Sequence, residues 1–329
     1  MSTTSRTLAC IVALVALSLA GAAAVAKPSP GPQIAASSCG GSPVPPSGNA
    51  FCSFEGTGEG VVIAQNSCNV EGACLLIGNG ARIGHDSCNA EVACTILGTL
   101  NGVAGASGFS IIGNRSCNGL EACTQAGTQG FSVIGDGSCN GGEAACAGAG
   151  QSKGTSYIGN DACNNLNIGA SHNTCLFIAS GDFDTVDGGH IVIGNGSCNG
   201  SSACTFGAQF GATSTIGNNA CNGLGACFDV AQGPFPGIGV DFQSASVIGN
   251  ASCNADSACQ FAGIGGSSAM ANSSCNNQFA CEFAGTFNAG STIGNHSCNG
   301  APDLTDPQLP VGACDANEGV VGNNQKNSP

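Results

Sequence analysis

Ser246-Val247-Ile248-Gly249-Asn250-Ala251-Ser252-Cys253-Asn254, with Cys259 five residues further on, is the stretch whose reading decides the fold. The chain repeats it: Ser214-Thr215-Ile216-Gly217-Asn218-Asn219-Ala220-Cys221-Asn222 precedes Cys227 in the same way. Aligned on the first cysteine, ten repeats put Ile63, Ile83, Ile112, Ile134, Ile158, Ile193, Ile216, Ile248, Met270 and Ile293 five positions before it. So regular an apolar column is a core column. Ser, Val, Thr and Ile alternate before each Gly with the period of a strand, and 54 glycines leave no room for long helices. Asn follows the first cysteine in every repeat, from Asn69 to Asn299. The residue tolerates a left-handed turn, and stacked copies form a ladder of side-chain amides.

The 23 cysteines, with no C-x2-C pair and only four histidines, read as a disulfide framework and not as zinc ligands. Arg6, the apolar run from Leu8 to Ala20 and the small-x-small site at Ala24-Val25-Ala26 read as a secretory signal peptide over 1–26. Its removal takes Cys10 and leaves an even number. The constant local spacing makes pairing within each repeat the simplest connectivity: Cys68–Cys74, Cys88–Cys94, Cys117–Cys123, Cys139–Cys146, Cys163–Cys175, Cys198–Cys204, Cys221–Cys227, Cys253–Cys259, Cys275–Cys281 and Cys298–Cys314. Cys39–Cys52 is the remaining pair. Bridges between neighbouring repeats would satisfy the same count.

One repeat offers about four alternating residues, a turn and a short second strand such as that at Ala203-Cys204-Thr205-Phe206. That is too little to fold alone, so repeats must stack and share one interior. From Val61 to Cys314 the chain resembles the parallel β-helix superfold, the shape of pectate lyases and many surface adhesins. The resemblance rests on repeat length and strand pattern. It implies an all-β solenoid of about ten disulfide-stapled coils, expected to be right-handed. The expected organisation is a signal peptide over 1–26, a Pro-, Gly- and Ser-rich linker over 27–51, the solenoid over 52–314 and a polar, disordered tail over 315–329.

The formal net charge of −14 opposes phosphate neutralisation, so neither nucleic acid nor an anionic membrane is an expected partner. No segment after the leader is long and apolar enough to span a bilayer. Polysaccharide lyases of this shape use a basic residue beside acidic calcium ligands, and no cation of this chain lies near its acidic cluster in sequence. No catalytic constellation stands out. That cluster, Asp182, Asp184 and Asp187 ahead of two glycines, is the candidate metal site, with Ca2+ the cation that suits three carboxylates. No other cofactor is implied. Six glycosylation sequons start at Asn114, Asn195, Asn199, Asn250, Asn272 and Asn295, five of them in one phase of the repeat.

If the Ile column points inward, the residue before each Ile points outward. Val62, Ile111, Val133, Tyr157, Val192, Thr215, Val247 and Thr292 then line a flat, mostly β-branched contact face, with Arg82 and Ala269 in the same rank. The leading expectation is a secreted structural or adhesive protein of the cell surface or matrix. It would bind an extracellular polysaccharide, a matrix polymer or itself. A polysaccharide-active β-helix enzyme and an ice-binding solenoid are the alternatives. The ice reading needs a rank of Thr and finds only Thr95, Thr124 and Thr205 after the second cysteines.

Overall fold

Successive coils place one short strand each beside the last, and twelve of them form a single parallel sheet. The computed structural model describes residues 31–41, 51–54, 59–98, 108–165, 173–181, 187–233, 244–285, 290–299 and 319–323. In chain order the strands are β1 (Gln33–Ile34), β2 (Cys52–Phe54), β3 (Val62–Ile63), β4 (Cys74–Ile77), β5 (Arg82–Ile83), β6 (Phe109–Ile112) and β7 (Phe131–Ile134). They continue as β8 (Thr155–Ile158), β9 (His190–Ile193), β10 (Thr213–Ile216), β11 (Ala245–Ile248), β12 (Ser267–Met270), β13 (Gly290–Ile293) and β14 (Gly319–Val321). The large sheet runs β1-β3-β5-β6 and then in sequence order to β14, while β2 and β4 form a separate parallel pair. Among the described residues the only helical element is a 3-10 turn at Cys39–Gly41.

The register is strict. Ile112 pairs with Ile134, Ile134 with Ile158, Ile158 with Ile193, and the column continues through Ile216 and Ile248 to Met270 and Ile293. These side chains are buried, as the alternation of β6 to β13 requires. A one-residue slip would turn the whole column to solvent, which is why the period-two pattern fixes the pairing.

The sheet runs past the limits of the repeat at both ends. Gln33 and Ile34, in the segment expected as a linker, pair with Val62 and Ile63. Gly319, Val320 and Val321, in the segment expected as a disordered tail, pair with β13. Both supply what an end coil needs, an apolar residue in the Ile column: Ile34 packs against the core and Val321 is buried.

Ten disulfides lie inside the coils, from Cys39–Cys52 through Cys68–Cys74 to Cys275–Cys281, with Cα separations of 5.4 to 5.8 Å. Each joins the turn after the sheet strand to the segment beyond it. Cys298 is also disulfide-bonded, and Cys314 lies outside the described residues. The Met270 thioether lies 3.3 Å from the Cys259 sulfur, so bridges and Ile column share one interior.

Beyond the second cysteine the expected strand forms in the coils of Cys52 and Cys74, as β2 and β4, and gives way to turns in the later described coils. In the coil of Cys117, Thr124, Ala126 and Thr128 donate to the carbonyls of Glu121, Cys123 and Gln125, closing successive tight turns. Between them, Cys123 and Gln125 donate to Ala93 and Thr95 of the preceding coil, and Gly127 donates to Ala149 of the next. Glu121, Gln125, Gly127 and Gln129 are left-handed, and residues 201–208, which include the strand expected at Ala203-Cys204-Thr205-Phe206, are likewise all turn. The reason is space. The inward positions of this wall are alanines such as Ala122, Ala126, Ala203 and Ala226, fully buried, and a chain of turns lets the backbone lie close to the core.

Candidate functional site: the outward faces and their ladders

The asparagine after each first cysteine forms the expected ladder, with a different backbone. Its own φ is ordinary, and the left-handed residue is the cysteine before it, at φ 54° to 59° from Cys39 to Cys298. The reversal therefore sits on the residue that the disulfide holds. The amide works along the solenoid: Asn199 Oδ1 accepts the Asn164 backbone N–H at 2.8 Å, and its Nδ2 donates to the Asp161 carbonyl at 3.1 Å. The first of the described coils carries Gly40 at this position, whose N–H donates to Asn69 Oδ1.

A second ladder, which the repeat contained unread, uses the Asn of Ile-Gly-Asn. Its Oδ1 accepts from the preceding coil in the series Asn160–Asn195, Asn195–Asn218, Asn218–Asn250 and Asn250–Asn272, at 2.7 to 2.8 Å. The serine before the cysteine acts in the other direction: Ser116 Oγ donates to the Gly135 carbonyl of the next coil and accepts the Ser138 N–H. The Gly of Ile-Gly-Asn is small for the same reason. A Cβ on Gly217 would lie 2.7 Å from the backbone of Gly249 and Asn250.

The outward side of the sheet has two parallel ranks. One holds Val62, Arg82, Ile111, Val133, Tyr157, Val192, Thr215, Val247, Ala269 and Thr292, in register from coil to coil. The other begins with Phe109 and Phe131, passes Thr155, His190, Thr213 and Ala245, and ends at Ser267 and Gly290. The face therefore changes along its length. At β6 to β9 it is aromatic: Phe109 stacks on Phe131 with centroids 5.6 Å apart, Phe131 meets Tyr157 at 5.5 Å, and Tyr157 meets His190 edge-on at 5.9 Å. Burial there lowers the His190 pKa, because desolvation disfavours the charged imidazolium. At β11 to β14 the face is small and shallow, with a depression of about 380 Å3 among Ala245, Val247, Ser267, Ala269, Thr292 and Val320. Val247 is 51% exposed there and Val320 82%.

The turn wall carries a second aromatic stack, beyond what was expected from the repeat. Phe177, Phe206, Phe228, Phe261 and Phe283 follow one another at centroid distances of 5.1 to 6.1 Å. The signal was available: Cys175, Cys204, Cys259 and Cys281 are each followed two residues later by Phe. In the coil of Cys227 that position is Asp229, and Phe228 stands one residue early. Burial raises the Asp229 pKa to about 7, and Gln232 Nε2 donates to its Oδ1 at 2.9 Å.

Of the acidic cluster, Asp182 and Asp184 lie outside the described residues. Asp187 pairs with Lys153, Nζ to Oδ1 at 2.6 Å, with both side chains largely exposed. Sulfurs of successive bridges, such as Cys146, Cys163 and Cys175, lie within 4.8 Å of one another, but each is in a disulfide and has no thiolate to offer a metal. The threonines weighed for an ice-binding rank have their hydroxyls engaged or covered. Thr124 Oγ1 donates to the Val92 carbonyl at 2.9 Å, and Thr205 is buried.

No family model matches the chain, and neither a curated protein nor a solved structure does. The fold stands on its own geometry: a cysteine-rich, all-β, disulfide-stapled parallel solenoid. So many intact bridges fit an oxidising compartment. Among the described residues no helix is long and apolar enough to cross a membrane.

Proposed function

We propose that the chain is a secreted structural or adhesive protein of the cell surface or extracellular matrix. It binds an extracellular polysaccharide, a matrix polymer or another copy of itself through the outward face of its sheet. The observation that carries this reading is the unbroken register of that face across β3 to β13. Such a face presents a regular array of apolar and hydroxyl-bearing side chains without like-charge repulsion. Extended partners gain from such an array, because many weak contacts at one repeat sum along the solenoid. The disulfides support it, since they keep a thin core folded outside the cell. The carboxylate excess holds the rest of the surface soluble.

The test replaces Val133, Val192 and Val247 together with Lys. All three point outward, so the coil should close as before and the β-sheet circular dichroism should be unchanged. Sedimentation and pull-down on insoluble cell-wall or matrix polymers should then show self-association or adhesion reduced at least tenfold. Unaltered binding by a folded variant would remove this face from the account.

A further inference from the structure

The two asparagine ladders differ in the state of one atom. In the ladder after cysteine, Nδ2 is spent on the preceding coil, as in Asn140 to the Arg115 carbonyl at 2.7 Å and Asn164 to the Gly137 carbonyl at 2.7 Å. In the Ile-Gly-Asn ladder only Oδ1 is engaged, and Nδ2 makes no hydrogen bond among the described residues. Asn195, Asn250 and Asn272 are exposed, and Asn114 and Asn295 half-buried. The ladder thus fixes the amide by its oxygen and turns its nitrogen to solvent.

N-glycosylation needs that nitrogen and a hydroxyl two residues on. Asn114, Asn195, Asn250, Asn272 and Asn295 all have the Ser. Asn199 has it too, but one of its two amide hydrogens is already held by the Asp161 carbonyl of the preceding coil. We propose that asparagines of the Ile-Gly-Asn ladder carry N-linked oligosaccharides in a row along one edge of the solenoid, and that Asn199 carries none. Nδ2 forms a bond to the anomeric carbon of an oligosaccharide, the amide loses a proton, and the lipid pyrophosphate that carried the sugar leaves. In the folded coil the sequon serine is buried, with Ser197 Oγ donating to the Gly217 carbonyl at 2.7 Å. Transfer therefore precedes closure of the coil, and the finished fold has only to accommodate the product.

The spacing of sequons supports the assignment. Asn160 and Asn218 pair with Asn195 on either side and keep the ladder, but Ala162 and Ala220 replace the serines there. Structure alone would favour Ser, since each hydroxyl bonds the next coil. Rungs lie about 4.8 Å apart, less than the width of an oligosaccharide, so an occupied Asn195 needs its neighbours bare. Asn250, Asn272 and Asn295 stand on consecutive rungs, and glycans on the outer two crowd the middle one.

The inference rests on the export reading, and one experiment separates them. The full chain is secreted from cultured eukaryotic cells, and its glycans are released enzymatically in heavy-oxygen water, which marks each occupied Asn. Peptide mapping should find Asn114 and Asn195 occupied, Asn272 the least occupied of the last three, and Asn199 unmodified. Bare ladder asparagines in a secreted, disulfide-bonded protein would overturn the proposal and leave export standing, as would Asn199 occupied to the level of Asn195. A chain retained inside cells with free thiols would overturn both. Ala220→Ser restores a sequon at Asn218 with a serine most coils already hold, so folding is preserved. Molecules carrying sugar at both Asn195 and Asn218 should be several-fold rarer than either alone, and full double occupancy would defeat the spacing argument.

Discussion

Thr213–Ile216 and the run from Ser201 to Ala208 adjoin one another in the chain and solve the same problem in opposite ways. The strand bonds its neighbours in an extended ladder with Ser214 and Ile216 inward, a pattern that four residues are enough to declare. The run of turns also bonds both neighbouring coils, but through every second N–H, with Ser202, Phe206 and Ala208 at positive φ. A left-handed residue other than Gly costs roughly 1–2 kcal/mol, so this wall does not persist on local preference. It is held by the stack on either side and by the bridge at its start. The contrast teaches that intrinsic pattern specifies the sheet, whereas neighbours and covalent closure specify the turns.

If that division is right, apolar truncation should hurt the two walls unequally. Ile216→Ala removes a fully buried side chain and should destabilise its coil by about 3 kcal/mol. Phe206→Ala removes a larger side chain, but a half-exposed one that meets only Phe177 and Phe228 among the rings, and should lose about 1–2 kcal/mol. Hydrogen exchange with the disulfides intact reads each coil separately, as a repeat array requires. Equal losses would mean that the turn wall is as much a core wall as the sheet.

The ladders sharpen the comparison on a smaller scale. Asn199→Ala strips two intercoil hydrogen bonds and leaves the Asn164 N–H and the Asp161 carbonyl without partners, a loss of about 2 kcal/mol. Asn195→Ala strips one, from the Asn160 N–H, and should lose about 1 kcal/mol. Thermal melts of unglycosylated protein compare the two directly. A reversed order would contradict the separation of a structural amide from one whose nitrogen is free.

These residues also mark what could be read in advance. Ile216, the strand alternation and the stacking of repeats were legible, because burial and period two leave a mark in every coil. The turn wall was not, because Ala203-Cys204-Thr205-Phe206 alternates well enough to pass for a strand. What distinguishes it is the recurrence of small residues at the inward sites, which matters only once the narrowness of the core is known. The outward rank from Val62 to Thr292 was placed by alternation alone. Its change from aromatic to small along the solenoid needed the second rank, Phe109 to Gly290, and that rank emerges from the pairing of β6 to β13. Asp229 was passed over for a related reason: it stands two residues after Cys227, where four other coils have Phe, but its burial shows only in the folded wall.

Asp229 gives the smallest and most specific test of that wall. Its carboxyl is raised from 3.8 to about 7 because burial disfavours the charged form. The unfolded chain releases this proton near its ordinary value and the folded coil holds it, so between the two pKa values the native state binds more protons. Stability is then fully present below about pH 4, declines as pH rises toward 7, and stays low above it. Asp229→Asn keeps an oxygen for Gln232 Nε2 to donate to and has no proton to lose. The variant should match the parent near pH 4, exceed it near pH 8, and lack the decline between, measured as the guanidinium midpoint or as exchange at the Asp229 and Phe261 amides. Parallel pH profiles for the two proteins would show that the carboxylate remains solvated in the folded coil.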